Sequence, residues 1–271
     1  MSQLPSVANP TRKLYPSDMS DAEWALIEPK LPAPKGFGHP REVDLREILN
    51  AIFYVQRSGC QWEMLPHDFP PHSTVYKYFR KWQRKGLWQT LHDELREELR
   101  EGMKREPDSS VAIADSQSVK TTEKRGEVYG FDGGKQVKGR KRHIVVDSQG
   151  LVLGVLVTEA NTPERLGAVV IFDEARERLS RLEVVYVDQG YSGENFARAI
   201  RQVCGDHVRV EVIKRSSKEF EVLPKRWIVE RTFGWLNRYR RLSKDYEVYT
   251  ELSEAMIYGA LIRLLLRRTA A

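Results

Sequence analysis

Apolar residues recur at helical spacing through the first hundred positions of the chain. In SDMSDAEWALIEPKLP, serine and aspartate caps precede Trp24, Leu26 and Ile27, and Pro29 and Pro32 end the pattern, which predicts one short helix. A Gly/Pro loop follows. Leu45, Ile48, Leu49, Ile52 and Phe53 then share one stripe and predict a helix from about Asp44 to Gln56, ended by Gly59. After the proline-rich turn LPHDFPPHS, Ser73 is the expected cap of a third helix, TVYKYFRKWQRKG. It mixes Tyr76, Tyr78, Phe79 and Trp82 with Lys77, Arg80, Lys81, Arg84 and Lys85. Two short helices, a turn and a basic third helix fit a helix-turn-helix module that lays those cations on DNA. A small bundle whose aromatics are simply core fits the same spacing. LWQTLHDELREELREGMKREPDSS reads as a charged amphipathic helix, and a shift in composition after it places a boundary near Pro107.

Beyond that boundary the hydrophobic period shortens to that of strands. VAIADSQSV, GRKRHIVVD and LVLGVLVTEA read as three strands, the last two joined by the tight turn DSQG. TPERLGAVVIFDEARERLSR reads as a helix with Thr162 as cap and Pro163 in its first position. Strand LEVVYVD, helix GENFARAIRQVCG, strand VRVEVIK and a long final helix through Glu230 complete the series. An antiparallel meander followed by alternating β and α units predicts a mixed sheet covered by helices. The expected class is therefore α/β, in the order of a ribonuclease H-like domain preceded by an α-helical, helix-turn-helix-like region. Parts of that order also occur in unrelated α/β proteins. AMIYGALIRLLL, residues 255–266, is interrupted by Arg263, is too short to cross a bilayer and reads as a buried helix.

Composition narrows the partners. The length of 271 residues suits one large domain, or a small one joined to a larger one, and 41% apolar with 30% charged residues suits a folded chain. A net charge of +6 and a pI near 9.2 favour a polyanionic partner, although many basic proteins bind none. Cys60 and Cys204 are the only cysteines, which disfavours a disulfide framework or a thiolate metal site and makes a reducing compartment the default. MSQLPSVANPTRKLYP lacks the basic start and apolar core of a signal peptide and reads as a flexible arm.

Three carboxylates occupy special places. Asp115 follows VAIA on a buried strand, where a charge is unfavourable without a partner, and Asp188 ends VVYVD, where open α/β sheets present their ligands. Each also has a local role open to it, as a turn cap or a bond to the SQS backbone. If the first and fourth strands are neighbours, Asp115 and Asp188 converge, and Glu230, set among arginines in RWIVERTFGWLNRYRRLSKDYE, supplies a third acid. Such a cluster suits two Mg²⁺ ions roughly 3.5–4 Å apart, with Mn²⁺ as a substitute, one activating a water or 3′-hydroxyl and the other stabilising the leaving oxygen. Zinc would call for histidine or cysteine at short spacing, which is absent.

Arg226, Glu230 and Asn237 fall near one helix face, with Phe233, Leu236 and Tyr239 turned toward the sheet. Arg226 is read as a phosphate grip rather than a surface partner of Glu230. GFDGGKQVKGRKRH, with Lys135, Lys138, Arg140, Lys141 and Arg142, reads as a mobile loop that clamps DNA phosphates beside Asp115; a solvated basic loop is the plainer account. Asn161 serves either the metals or the start of a helix. His143 is read as structural, and Trp62, Trp82 and Trp88 as packing.

IADSQSVK, VYVDQGYSG and the arginine-rich block around Glu230 resemble the three carboxylate blocks of bacterial insertion-sequence DDE transposases, in the insertion-sequence-five group of the insertion-sequence-four-like superfamily. GCQWEMLPHDFPPHSTVYKYFRKW resembles the N-terminal region of that group, and the resemblance runs from about Asp21 to the end. It implies a Mg²⁺-dependent enzyme that binds terminal inverted repeats, cleaves at the transposon ends and joins the 3′-hydroxyls to target DNA. Asp115, Asp188 and Glu230 would be its catalytic and metal-binding triad. It further implies double-stranded DNA as partner, a homodimer in the DNA complex, no membrane association, and a place in the bacterial cytoplasm at the nucleoid. The implied domains are an arm at 1–20, a helical DNA-binding domain at 21–107 and a ribonuclease H-like catalytic domain at 108–271.

In the related insertion-sequence-four group a tyrosine, an arginine and a lysine stand seven before, four before and seven after the glutamate. Leu223, Arg226 and Asn237 occupy those places here, so only the arginine is kept. Arg238 and Lys244 are candidates to replace the lysine, and Arg241 is read with them as a DNA contact. The short interval from Asp188 to Glu230 leaves no room for the β-rich insertion of some relatives. A transposase-derived DNA-binding regulator without cleavage is the alternative reading.

Overall fold

Val111–Lys120 (β1) runs through the middle of a mixed sheet in the computed structural model, which describes residues 12–34, 42–124, 126–213 and 225–270. Gly130–Asp132 (β2), Val137–Val146 (β3) and Val152–Glu159 (β4) lie on one side: β3 is antiparallel to β1, and β2 and β4 are antiparallel to β3. On the other side Val184–Val187 (β5) runs parallel to β1, and Arg209–Val212 (β6) runs parallel to β5. The order β4-β3-β1-β5-β6 is the ribonuclease H-like arrangement expected from the sequence. β2 was not foreseen, because three residues are too few to show an alternating pattern.

Successive residues of β1 face opposite ways. Ala112 and Ala114 pack with Phe172 of Glu164–Ala175 (α5) and with Phe196 and Ile200 of Glu194–Cys204 (α6). Ile113 packs on the other face with Ile228, Val229 and Phe233 of Arg226–Leu236 (α7) and with Thr250–Thr269 (α8). The second of these cores continues into the helical half, formed by Asp21–Ile27 (α1), Leu45–Ser58 (α2), His72–Arg84 (α3) and Leu87–Gly102 (α4). Trp82, Trp88, Leu95 and Leu99 belong to the same buried cluster as Ile144 and Val146, so the apolar interior runs across Pro107 without a break.

α8 contains the apolar stretch read as a buried helix. It is apolar on every side because it lies between the sheet and the first helices. Its buried Arg263 is paired with Glu23 and donates to the Asp18 carbonyl at 2.8 Å. No helix among the described residues is long and apolar enough to cross a membrane.

Several boundaries differ from expectation. α3 begins at His72 after Pro71, so Ser73 lies within its first turn and caps nothing. Pro163, not Thr162, precedes α5. The long helix expected through Glu230 stops at Leu236. Tyr239 is extended and a 3-10 turn spans Arg240–Leu242, because burying Tyr239 and Leu242 draws the chain off the helical path. Of the segment read as an arm, residues 12–20 are docked: Arg12 pairs with Asp18 at 2.7 Å and Glu47 at 2.8 Å and lies over the Phe69 ring. Residues 1–11 lie outside the described residues.

Candidate active site

The parallel register pairs Val111 with Val184, Ala112 with Val185 and Ile113 with Tyr186. Continued by two residues, it sets Asp115 level with Asp188 at the notch where β5 ends and β1 runs on. Strand alternation places both on the face of Ile113 and Tyr186, the face that α7 covers. Locally, Asp115 Oδ1 accepts the Ser116 N–H at 2.7 Å. Asp188 Oδ1 accepts the Gly190 N–H at 2.8 Å and caps a 3-10 turn. The turn roles foreseen for both residues therefore coexist with their convergence.

Arg226, the first residue of α7, joins the third acid to the group. Its Nη2 lies 3.9 Å from Asp188 Oδ2 and 3.5 Å from Glu230 Oε1, so those two oxygens are no farther apart than the sum of the two distances. The Asp188 side chain is 26% exposed and that of Glu230 59%, which puts the first in the pocket and the second at its rim. Burial, opposed by the Ser116 N–H and reinforced by the charge of Asp188, pushes the Asp115 carboxyl up to about 6.

The donors are carboxylate oxygens, which suit a hard divalent cation. Two further features fit such an ion. The Tyr191 hydroxyl is buried without a hydrogen-bond partner beside Ser116, whose own hydroxyl donates to Glu164. Burial and the charges of Asp115, Glu164 and Asp188 hold its pKa well above the usual phenol value. A Cβ added to Gly190 would stand 3.0 Å from both Asp188 Oδ1 and Glu164 Oε2, so the glycine keeps the ground between these acids open. Among the described residues no three His, Cys, Asp or Glu side chains stand close enough to enclose an ion as placed. Arg226 supplies the positive charge between Asp188 and Glu230 in this arrangement.

Glu164 is the acid that sequence reading missed. A glutamate opening a helix is ordinary, and only the packing of α5 against the sheet brings it to Asp188.

The expected DNA contacts divide into two groups. Lys77, Lys81 and Arg84 of α3 face solvent, Arg80 lies over the Tyr249 ring, and Lys138, Arg238 and Lys244 are exposed. The mobile clamp expected at residues 130–143 is instead the β2–β3 hairpin, and three of its cations are interior. Arg140 is fully buried, donating to Asp245 Oδ1 and Ser253 Oγ at 3.1 Å and to the Glu247 and Val248 carbonyls at 2.9 and 2.7 Å. Arg142 donates to the Leu242 and Lys244 carbonyls, and Lys141 to the Thr162 carbonyl. Arg241 is buried against Glu247 at 2.8 Å. These four residues are removed from the surface set. β3 is an inner strand with helices over both faces, and a cation there persists only when paired and hydrogen-bonded.

His143 is structural, as expected: Nε2 meets Thr158 Oγ1 at 2.9 Å, and burial lowers its pKa to about 4. Trp82 and Trp88 are core residues, and Trp62 is half-buried against Tyr76 and Phe79. Asn161 fills the space that a Cβ on Gly130 would need, which assigns it to the hairpin. Leu223 lies outside the described residues.

Residues 19–92 match the family described as "Putative transposase of IS4/5 family", and residues 106–265 match the family described as "Transposase DDE domain". A Burkholderia cepacia protein described as "Putative transposase for insertion sequence element IS402" is 34% identical over 134 residues, which is 46% of this chain and 60% of that protein. "Insertion element IS402 uncharacterized 16.2 kDa protein", from the same organism, is 35% identical over 112 residues, 38% of this chain and 72% of that protein. The chain thus spans less than two thirds of the first of these relatives. No solved structure matches it.

Proposed function

The chain belongs to the DDE transposases of the IS4/IS5 type, its DDE domain match covering residues 106–265, and from that premise we propose that it binds the terminal inverted repeats of an insertion sequence, cleaves at the element's ends and joins the 3′-hydroxyls to target DNA. The observation that supports this reading is geometric: one guanidinium lies 3.9 Å from Asp188 and 3.5 Å from Glu230, and the parallel register of β1 and β5, continued by two residues, sets Asp115 level with Asp188. Asp115, Asp188 and Glu230 are the residues that would hold Mg²⁺, or Mn²⁺ in its place. Bound there, the ions would activate a water or 3′-hydroxyl and stabilise the leaving oxygen.

The remaining work falls to the chain's own groups. Arg226 grips a phosphate through its planar fork. α3 lays Lys77, Lys81 and Arg84 along the DNA backbone, and residues 21–107 act as the DNA-binding part. Coordinated cutting of two ends calls for two copies on the DNA, and the bacterial cytoplasm at the nucleoid is where the substrate lies.

With Mg²⁺ the protein is expected to cut linear DNA carrying the inverted repeats that flank its gene. Asp188→Asn is expected to lower cutting by more than ~100-fold, since replacing a metal's outer-shell partner already costs ~10–100-fold, while leaving repeat binding intact. Cleavage retained in that variant overturns the assignment. Repeat-specific binding by the unaltered protein without cleavage in Mg²⁺ or Mn²⁺ selects a DNA-binding regulator instead.

A further inference from the structure

Glu164 opens α5 on the side of the sheet opposite α7, and its two carboxyl oxygens have different neighbours. Oε1 accepts the Ser116 hydroxyl at 2.7 Å and the Lys135 ammonium at 3.0 Å. Oε2 faces Asp188 across Gly190. Lys135 Nζ also donates at 3.1 Å to the carbonyl of Ser116, the residue after Asp115. Of the cations in the hairpin, Lys135 and Lys138 reach solvent, and the Lys135 charge is felt at Asp115.

The turn that carries Lys135 is held from beneath. Asp132 Oδ1 accepts the backbone N–H groups of Gly134 and Lys135 at 3.1 and 3.0 Å, and Oδ2 accepts the Ser118 hydroxyl at 2.5 Å. Its backbone is thus fixed, while the side chain beyond it is 45% exposed with four rotatable carbons. Free in solvent, such an ammonium would spread over many rotamers; the bonds to Glu164 and to the Ser116 carbonyl choose the one that ends beside the acid pocket. The buried, unpartnered Tyr191 hydroxyl facing Asp115, Glu164 and Asp188 marks the same spot as one that receives a polar group.

We propose that Glu164 is a positioning residue for the reaction: it holds the Lys135 ammonium at the rim of the Asp115–Asp188 pocket, where that ammonium grips the DNA phosphate under attack. This rests on the transposase reading. Glu164 carries the geometry and Lys135 the contact, so the two act as one unit.

The test uses the full chain and a duplex ending in the element's own terminal repeat, in two forms: with an ordinary scissile phosphate, or with an uncharged methylphosphonate there. Cleavage is read as a single-turnover rate in Mg²⁺, and binding is read in Ca²⁺. Glu164→Gln keeps an acceptor for Ser116 but loses the ion pair, and it is expected to slow cleavage on the order of 10- to 100-fold. Lys135→Gln, at an exposed position, is expected to do the same. The double variant should be no slower than the worse single one, and the binding penalty of either should vanish on the methylphosphonate duplex. Multiplying effects, or a penalty that persists without the phosphate charge, would overturn the proposal. Should Glu164→Gln fail to fold, Lys135→Gln with the two duplexes decides it. Failure of the unaltered protein to cleave refutes the transposase reading itself, whereas cleavage indifferent to both variants refutes only the Glu164–Lys135 unit.

Discussion

The role proposed for Asp115 requires an ionised carboxylate, and Asp115 lies where ionisation is unfavourable. Its carboxyl is raised from 3.8 to about 6, first by burial and then by the charge of Asp188. Between those values the folded chain keeps a proton that the unfolded chain has released, so stability falls as pH rises through that window and the deficit is complete above it. In the metal-free protein, Asp115→Asn is therefore expected to raise stability at pH 8 by on the order of 2 kcal/mol, with the gain disappearing toward pH 4. Denaturant unfolding at the two pH values measures it, and equal gains at both would contradict a buried-charge origin. A gain in stability on neutralising the acid would be the mark of a position kept for function rather than stability, in keeping with the role proposed above.

At the scale of elements, β3 is the place where sequence reading and structure part most clearly. GRKRHIVV sets a block of consecutive cations before a block of apolar residues, after a glycine-rich run, and its first half resembles a solvated loop. In the fold it is an inner strand, and Gly139 is required at its start because a Cβ there would overlap the Val119 carbonyl. Its arginines hold down the chain that follows α7, through Asp245 for Arg140 and the Leu242 and Lys244 carbonyls for Arg142. Arg140→Ala leaves the buried Asp245 charge without its guanidinium and is expected to cost about 3–5 kcal/mol, read as a lowered urea midpoint. An Arg140→Ala protein of undiminished stability but weakened DNA binding would return this residue to the surface set.

Taken whole, the molecule is bound together by α8. It packs against α4 and β4 at once and joins the tryptophans of the helical half to the sheet. Arg100 adds a second tie across the expected boundary by donating to the Glu106 carbonyl at 2.7 Å and pairing with Asp147. A shared core predicts a single unfolding transition with a calorimetric to van't Hoff enthalpy ratio close to one. Two resolved transitions in scanning calorimetry would show that the two halves fold separately. Residues 1–107 expressed alone are expected to aggregate, since they would expose Trp88, Leu95 and Leu99.

The sequence by itself determined the α/β order and the stripes of α2 and α3, and it drew attention to Asp115 and Asp188 as acids in or at the end of apolar strands. Each of these is written in local periodicity, or in the misfit of a charge within an apolar strand. The tertiary structure decided which cations reach solvent, where the helix after Glu230 breaks, and that Glu164 joins the pocket. Those outcomes depend on what lies across the sheet from a residue, and neighbours distant along the chain leave no mark in local spacing.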